Sequence, residues 1–266
     1  MPENIEIDPL PENPSKAQIM AKLHEIRSLR WLKCRRPGNA GSVGNTLEDY
    51  LGITENNIAS ADAGEWEIKA QRQNTGSLIT LFHFEPEPRS ARLVPKLLLP
   101  KYGWPHATIS GEQSFRATIN GMRYTNRGFK VVVDDDQQKV LVHFSKDHVV
   151  AEHNNWFTNV VRQVGDGEIN PQPYWTFDSL KRKVLAKINN TVFIVAKNRR
   201  VNGREEFYYD KILMLSDIDF DKFLDCIRNG HILVDFDART GHNHGTKFRV
   251  KQAQWPKFFD TIENIT

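Results

Sequence analysis

Asp62-Ala63-Gly64-Glu65-Trp66-Glu67-Ile68-Lys69 is the stretch on which the reading of this chain turns. The run over 65–70 alternates as a strand does, and alternate side chains of a strand share a face. Glu67 and Lys69 then point together, while Trp66 and Ile68 point the other way into apolar packing. Asp62 lies just before, where a bend brings its carboxylate beside Glu67. Two neighbouring carboxylates with an ammonium at hand form an oxygen-rich site suited to Mg²⁺, which takes oxygen ligands and keeps several waters. Such a site can activate a water and stabilise charge on a phosphate undergoing hydrolysis, with Lys69 orienting that water. The pattern is short. Taken alone it also describes an exposed strand face carrying an acid–base pair.

Outward from this stretch, helical and extended patterns interleave irregularly. Ile19, Met20, Leu23, Ile26 and Leu29 recur at spacings of three and four, which predicts a helix over 16–32. A glycine-rich loop over 37–45 leads into a short helix over 46–51, with Thr46 as its cap and Asp49 in its positive first turn. A strand is expected over 77–84. Apolar runs over 129–134 and 139–144 flank Asp135-Asp136-Gln137-Gln138 and predict a β-hairpin. The acidic residues there read as a polar turn, with a metal site as the alternative. Helices are expected over 175–186 and 219–229, the second closed by Gly230. Strands are expected over 190–197, 205–215, 232–237 and 246–251. The pattern is mixed α/β without a regular βαβ series, an internal repeat or a low-complexity segment.

Composition narrows the function classes. The chain has 266 residues, 39% hydrophobic and 26% charged, as in a soluble globular protein of one large domain or two packed lobes. No run of about 18 apolar residues is present, so no transmembrane helix is expected. The acidic, proline-bearing stretch over 1–14 lacks the features of a signal peptide. Two cysteines, Cys34 and Cys226, without CxxC spacing argue against a disulfide framework or a structural zinc site, and fit a reducing cytoplasm. The net charge is only +3, but basic residues cluster. Arg27, Arg30, Lys33, Arg35 and Arg36 form one group, Lys197, Arg199, Arg200 and Arg204 a second, and Arg239, Lys247, Arg249 and Lys251 a third. Such clusters suit a phosphate backbone, although each alone also describes solvated surface.

The segment Gly44-Asn45-Thr46-Leu47-Glu48-Asp49-Tyr50-Leu51-Gly52, followed by Asp62, Glu67-Ile68-Lys69 and Ser77-Leu78-Ile79-Thr80-Leu81-Phe82, resembles the MvaI/BcnI family of restriction endonucleases. That family belongs to the MutH-like branch of PD-(D/E)xK nucleases. The resemblance continues at Tyr174-Trp175-Thr176-Phe177-Asp178-Ser179-Leu180 and at His242-Asn243-His244-Gly245-Thr246-Lys247-Phe248-Arg249. It implies a mixed central sheet flanked by helices, with two lobes around a DNA cleft. Residues 1–15 then form a tail, 16–170 a mainly catalytic lobe and 171–266 a mainly DNA-recognition lobe. It implies that Asp62 and Glu67 hold Mg²⁺ together with the backbone carbonyl of Ile68, that Lys69 is the catalytic lysine, and that Glu48 completes the acidic cluster. On its own Glu48 reads as a helix-surface acid.

The same resemblance assigns base recognition to the C-terminal stretch, with Arg239, His242, Asn243, His244, Lys247 and Arg249 as candidates. Arg249 is the expected guanine reader, since Arg pairs bidentately with guanine in the major groove. Without the resemblance, this stretch reads as a polar hairpin. His83, which alternates with Phe82 and Phe84, reads as structural or as a contact to the centre of the recognition site. It is expected to face His242 or His244 from the opposite side of the cleft. The resemblance implies a monomer that nicks double-stranded DNA one strand at a time at a site of the CC, central pair, GG class, with CCSGG as one form. It also implies a cognate methyltransferase without a stable complex. A MutH-like repair nickase and a catalytically silent DNA-binding protein are the alternatives.

Overall fold

The elements gather into two compact units that are interleaved along the chain. The computed structural model describes residues 7–38, 41–53 and 62–266, so Asn39 and Ala40 of the expected glycine-rich loop lie outside the described residues. The first unit comprises Met1–Ser77, Leu185–Asp219 and Phe259–Thr266, and the second Leu78–Val184 and Phe220–Phe258. The chain therefore crosses between units four times. The sequence division drew consecutive lobes at 16–170 and 171–266, whereas the compact units are discontinuous.

In chain order the first unit opens with α1 (Lys16–Ser28), β1 (Leu32–Lys33), α2 (Ser42–Leu51) and β2 (Glu67–Arg72). The second unit takes β3 (Leu78–His83), α3 (Leu99–Tyr102), β4 (Trp104–Pro105), β5 (Gln113–Ile119), β6 (Arg127–Asp134), β7 (Lys139–Val149), α4 (Asn154–Val164), β8 (Tyr174–Thr176) and most of α5 (Phe177–Ile188). The chain returns to the first unit for β9 (Thr191–Val201) and β10 (Arg204–Ile218), to the second for α6 (Phe220–Arg228), β11 (Ile232–Arg239) and β12 (His242–Lys251), and ends in the first with β13 (Phe259–Asn264).

The first unit is a mixed sheet in the order β1-β10-β9-β2, with β13 also on β10. β2 runs parallel to β9 with Glu67 opposite Thr191, and the other pairings are antiparallel. α1 is started by a capping box in which Ser15 and Gln18 satisfy each other's backbone amides. It buries Ile19, Leu23 and Ile26 in a core shared with Leu47, Leu51, Ile68, Val192, Ile194 and Phe207. α1 stops at Ser28, short of the expected 32, because Arg30 takes a positive φ and the chain turns into β1.

α2 begins at Ser42, inside the stretch expected as loop, and Gly41 rather than Thr46 stands at its cap. Thr46 is fully buried, its hydroxyl accepting from the Arg35 amide at 3.1 Å and donating to the Cys34 thiol. A capping residue and a buried helical threonine that bonds the segment following β1 look alike in sequence. β9 and β10 run further than expected, as far as a two-residue turn at Asn202-Gly203. Both residues have positive φ, the conformation of the type I′ hairpin turn that Asn-Gly favours.

The second unit carries two sheets, β3-β12-β11-β5-β4 and β6-β7-β8, both antiparallel. Trp175 is buried, donating its indole N–H to the Phe84 carbonyl at 3.0 Å and packing edge-on against Phe248. A second aromatic group, Tyr102, Phe115, Phe129 and Phe144, fills the space by β5, β6 and β7. The Asp134 side chain accepts from the Gln137 amide, and Asp135 pairs with Arg228, so two of the acids at the β6–β7 turn have ordinary structural partners. No helix among the described residues is long and apolar enough to cross a membrane.

Candidate functional site

β2 carries the decisive residues with the alternation read from the sequence. Ile68 is buried in the core of the first unit, while Glu67 and Lys69 share the other face. The bend before the strand is a two-residue hairpin. Ala63 and Trp66 exchange both backbone hydrogen bonds, at 3.0 and 2.9 Å, and Gly64 supplies the positive φ of its first central position. This turn folds Asp62 back along β2, where its Oδ2 accepts from the Ile68 amide at 2.9 Å.

Glu67 is only 7% exposed. Its Oε1 accepts from the Lys69 ammonium, and its Oε2 is buried with no hydrogen-bond partner. Burial pushes the Glu67 carboxyl above its ordinary range. Lys69 and Lys187 oppose that shift, and the neighbouring Asp62 charge adds to it. A buried carboxylate oxygen without a partner is costly unless a cation or donor fills its coordination. An oxygen-preferring divalent cation fits this donor set better than a soft metal does.

Asp62, Glu67 and Lys69 are thus brought together. Glu48 lies on α2, which packs against β2, and is half-buried. Among the described residues no group of three acidic, histidine or cysteine side chains is poised for a metal. Gln71, one step further along the same face, escaped the sequence reading. It is 8% exposed, donates to the Ser77 carbonyl at 2.8 Å, and has a buried Oε1 without a partner. The alternation that selected Glu67 and Lys69 extends to it.

In the second unit the sheet face of β5, β11 and β12 opposite the core is a lattice of charges. Asp235 binds the Arg249 guanidinium at 3.0 Å and accepts from the Thr118 hydroxyl at 2.7 Å. Asp237 lies between Lys247 at 2.9 Å and Arg116 at 3.0 Å. Burial alone would raise its pKa, but Lys247 and Arg116 outweigh that and hold it below the ordinary carboxylate range. Arg249 also donates to the Leu78 carbonyl at 2.9 Å, and its Nε is buried without a partner. Arg239 forms a two-oxygen pair with Glu112 at 2.8 and 3.1 Å.

His242, Asn243 and His244 are exposed on β12, the two imidazoles stacked 6.3 Å apart. Asn243 and Thr246 are anchored by Glu85, another residue the sequence reading passed over. The expectation that His83 faces these histidines across a cleft is overturned. β3 and β12 are adjacent antiparallel strands, with His83 opposite Lys247. A Cβ placed on Gly245 would lie 3.2 Å from the His83 ring. The three histidines lie on adjacent strands of one sheet.

The mixed α/β architecture agrees with comparisons to known proteins. The model of the MvaI/BcnI restriction endonuclease family matches residues 20–259. A solved structure described as a restriction endonuclease MvaI–cognate DNA substrate complex is 25% identical, with a TM-score of 0.76 over 95% of this chain and 99% of that one. Restriction endonuclease MvaI in the absence of DNA is 21% identical, with a TM-score of 0.55 over 96% and 100% of the two chains. No curated protein matches. The chain has the PD-(D/E)xK-type nuclease fold expected of it, and it belongs to the MvaI/BcnI family of restriction endonucleases, site-specific deoxyribonucleases.

Proposed function

We propose that this endonuclease is Mg²⁺-dependent and MutH-like, acts as a monomer that nicks one strand at a time, and takes sites of the CC, central pair, GG class. Asp62, Glu67 and the Ile68 carbonyl hold the cation, and the buried, unpartnered Oε2 of Glu67 is the observation that carries this reading. Bound there, Mg²⁺ supplies Lewis-acid stabilisation of the charge that builds on the phosphate oxygens. Lys69, already donating to Glu67, orients the attacking water and favours its deprotonated form. Glu48 adds negative potential from α2. A central base pair breaks two-fold symmetry, which suits one asymmetric chain. A cognate methyltransferase acting on the same site, without a stable complex, completes the system.

The test is a time course on supercoiled, unmethylated plasmid, followed by sequencing of the ends. Open circles are expected to accumulate before linear DNA, and EDTA to stop both. Direct conversion to linear DNA would overturn strand-by-strand nicking, and arrest at open circles would favour a strand-specific nickase.

At the central pair, His83 with His242 or His244, which approach from adjacent strands of one sheet, is the proposed reader. A neutral imidazole donates from one nitrogen and accepts at the other, so it tolerates C·G in either orientation. The wild type is expected to cut oligonucleotides with central C·G faster than those with A·T, and His83→Ala to narrow the gap. Equal rates on both by the wild type would end the histidine reading and leave the nuclease standing.

The basic clusters are less uniform than their sequence suggests. Lys197 pairs with Asp210, and Arg199 pairs with Glu206 while lying over Trp31. Arg200 and Arg204, exposed near the tip of the β9–β10 hairpin, are the better phosphate contacts. Replacing either with Gln is expected to weaken binding for every sequence and lower the salt slope of log Kd by about one. An unchanged slope would return that residue to the solvated surface.

A further inference from the structure

We infer that residues 7–16 form a strap that positions Asp62 for metal binding. The strap precedes the first residue matched by the family model. Ile7 and Leu10 pack on the core of the first unit, and the Leu10 amide donates to the Leu51 carbonyl at the end of α2 at 2.8 Å. Pro14 is buried. Lys16 lies over the Trp66 ring, 5.7 Å from its centre, and also pairs with Glu263.

Two glycines mark where the strap is seated. Gly52 and Gly64 both have positive φ, and both leave room for it. A Cβ on Gly52 would lie 2.2 Å from the Pro9 Cβ, and one on Gly64 would lie 3.0 Å from the Pro14 carbonyl oxygen. The strap thus touches the chain on both sides of Asp62, and the turn it presses is the Ala63–Trp66 hairpin that directs Asp62 at the Ile68 amide. A cavity of about 220 Å³ between them is lined by Leu10 and Pro14 on one side and by Gly52 and Asp62 on the other.

Asp62 must keep one oxygen on the Ile68 amide so that its carboxylate stands in register with Glu67. The hairpin alone is two residues long and is held by two backbone bonds. Pro9 and Pro14, with fixed φ, give the strap little freedom of its own, so it acts as a stiff brace. Asp62 is the group that meets the cation, and the strap acts through it. This inference rests on the reading of Asp62 as a metal-holding carboxylate.

The experiment uses the full-length chain with Pro9→Gly and Pro14→Gly combined, a second variant lacking residues 2–13, and Asp62→Asn as the control. Three quantities are measured: the Mg²⁺ concentration for half-maximal single-turnover cleavage, Kd for the cognate duplex without metal, and hydrogen exchange at the Ile68 amide. For the strap variants the half-maximal Mg²⁺ concentration is expected to rise about tenfold or more, as for lost outer partners of a metal ligand. Exchange at Ile68 should quicken, while metal-free Kd stays within about twofold of wild type.

Wild-type metal dependence and wild-type Ile68 exchange in the proline double variant would overturn the inference. So would a metal-free Kd that weakens in step with cleavage. If Asp62→Asn itself cleaves normally, the metal-site reading fails instead, and that outcome is read from the control alone.

Discussion

Asp62→Ala and Glu67→Ala are each expected to abolish cleavage while the protein still binds its duplex. The metal's charge stabilisation is worth several kcal/mol. At 1.36 kcal/mol per factor of ten, losing most of it lowers the rate by about 10³-fold. Binding survives because neither carboxylate attracts DNA, and removing a negative charge relieves repulsion from phosphate. The same site predicts an opposite effect on stability. Glu67 is buried with one oxygen unpartnered, so without metal its charge burdens the folded state. Glu67→Gln is expected to raise the Tm of the metal-free protein at neutral pH; if Mg²⁺ binds as proposed, it raises the Tm of the wild type further, and Glu67→Gln erases that rise. The measurements are plasmid cleavage, duplex binding in EDTA, and thermal unfolding with and without Mg²⁺. Near wild-type cleavage by either alanine variant would remove these residues from the metal site.

Arg249→Ala is expected to relax sequence choice more than any other single change on the charged sheet face. A bidentate Arg–guanine contact gives roughly 1–3 kcal/mol of discrimination. The guanidinium is fixed in place: Asp235 accepts from one terminal nitrogen at 3.0 Å and the Leu78 carbonyl from the other at 2.9 Å. Cleavage of cognate duplexes is therefore compared with cleavage of duplexes in which one guanine is replaced. The wild-type preference should fall by about 5- to 150-fold, the same energy expressed as a ratio. A loss equal on all duplexes would make Arg249 a phosphate contact.

What the sequence made legible follows the periodicities that carry it. Glu67 and Lys69 stood out because a strand repeats every two residues, and a bend was expected between Asp62 and Glu67, though not the two-residue hairpin at Gly64 that makes it. Gln71 obeys the same repeat but was passed over, since a carboxamide announces no chemistry. Thr46 was misread because a cap and a buried hydroxyl share one residue type, and only tertiary contact separates them. α4 went unread although Trp156, Phe157, Val160, Val161 and Val164 recur at helical spacing; of these Val160 alone is buried. The histidines were found as residues but not as neighbours. Strand order decides that β3 lies beside β12, and no local pattern contains strand order. The basic clusters showed where cations lie but not that acids such as Asp210, Glu206 and Asp49 occupy many of them.

The four passages of the chain between its units constrain how relatives of this enzyme can exchange specificity. The base-reading candidates on β11 and β12 belong to a unit encoded in two separate blocks, and the metal-holding candidates belong to one encoded in three. A single recombination between two such genes therefore never transplants one unit whole. It splits a sheet or leaves mismatched strands facing one another. New site preferences in this lineage should accordingly accumulate by substitution at individual positions of the sheet face, not by the shuffling of modules.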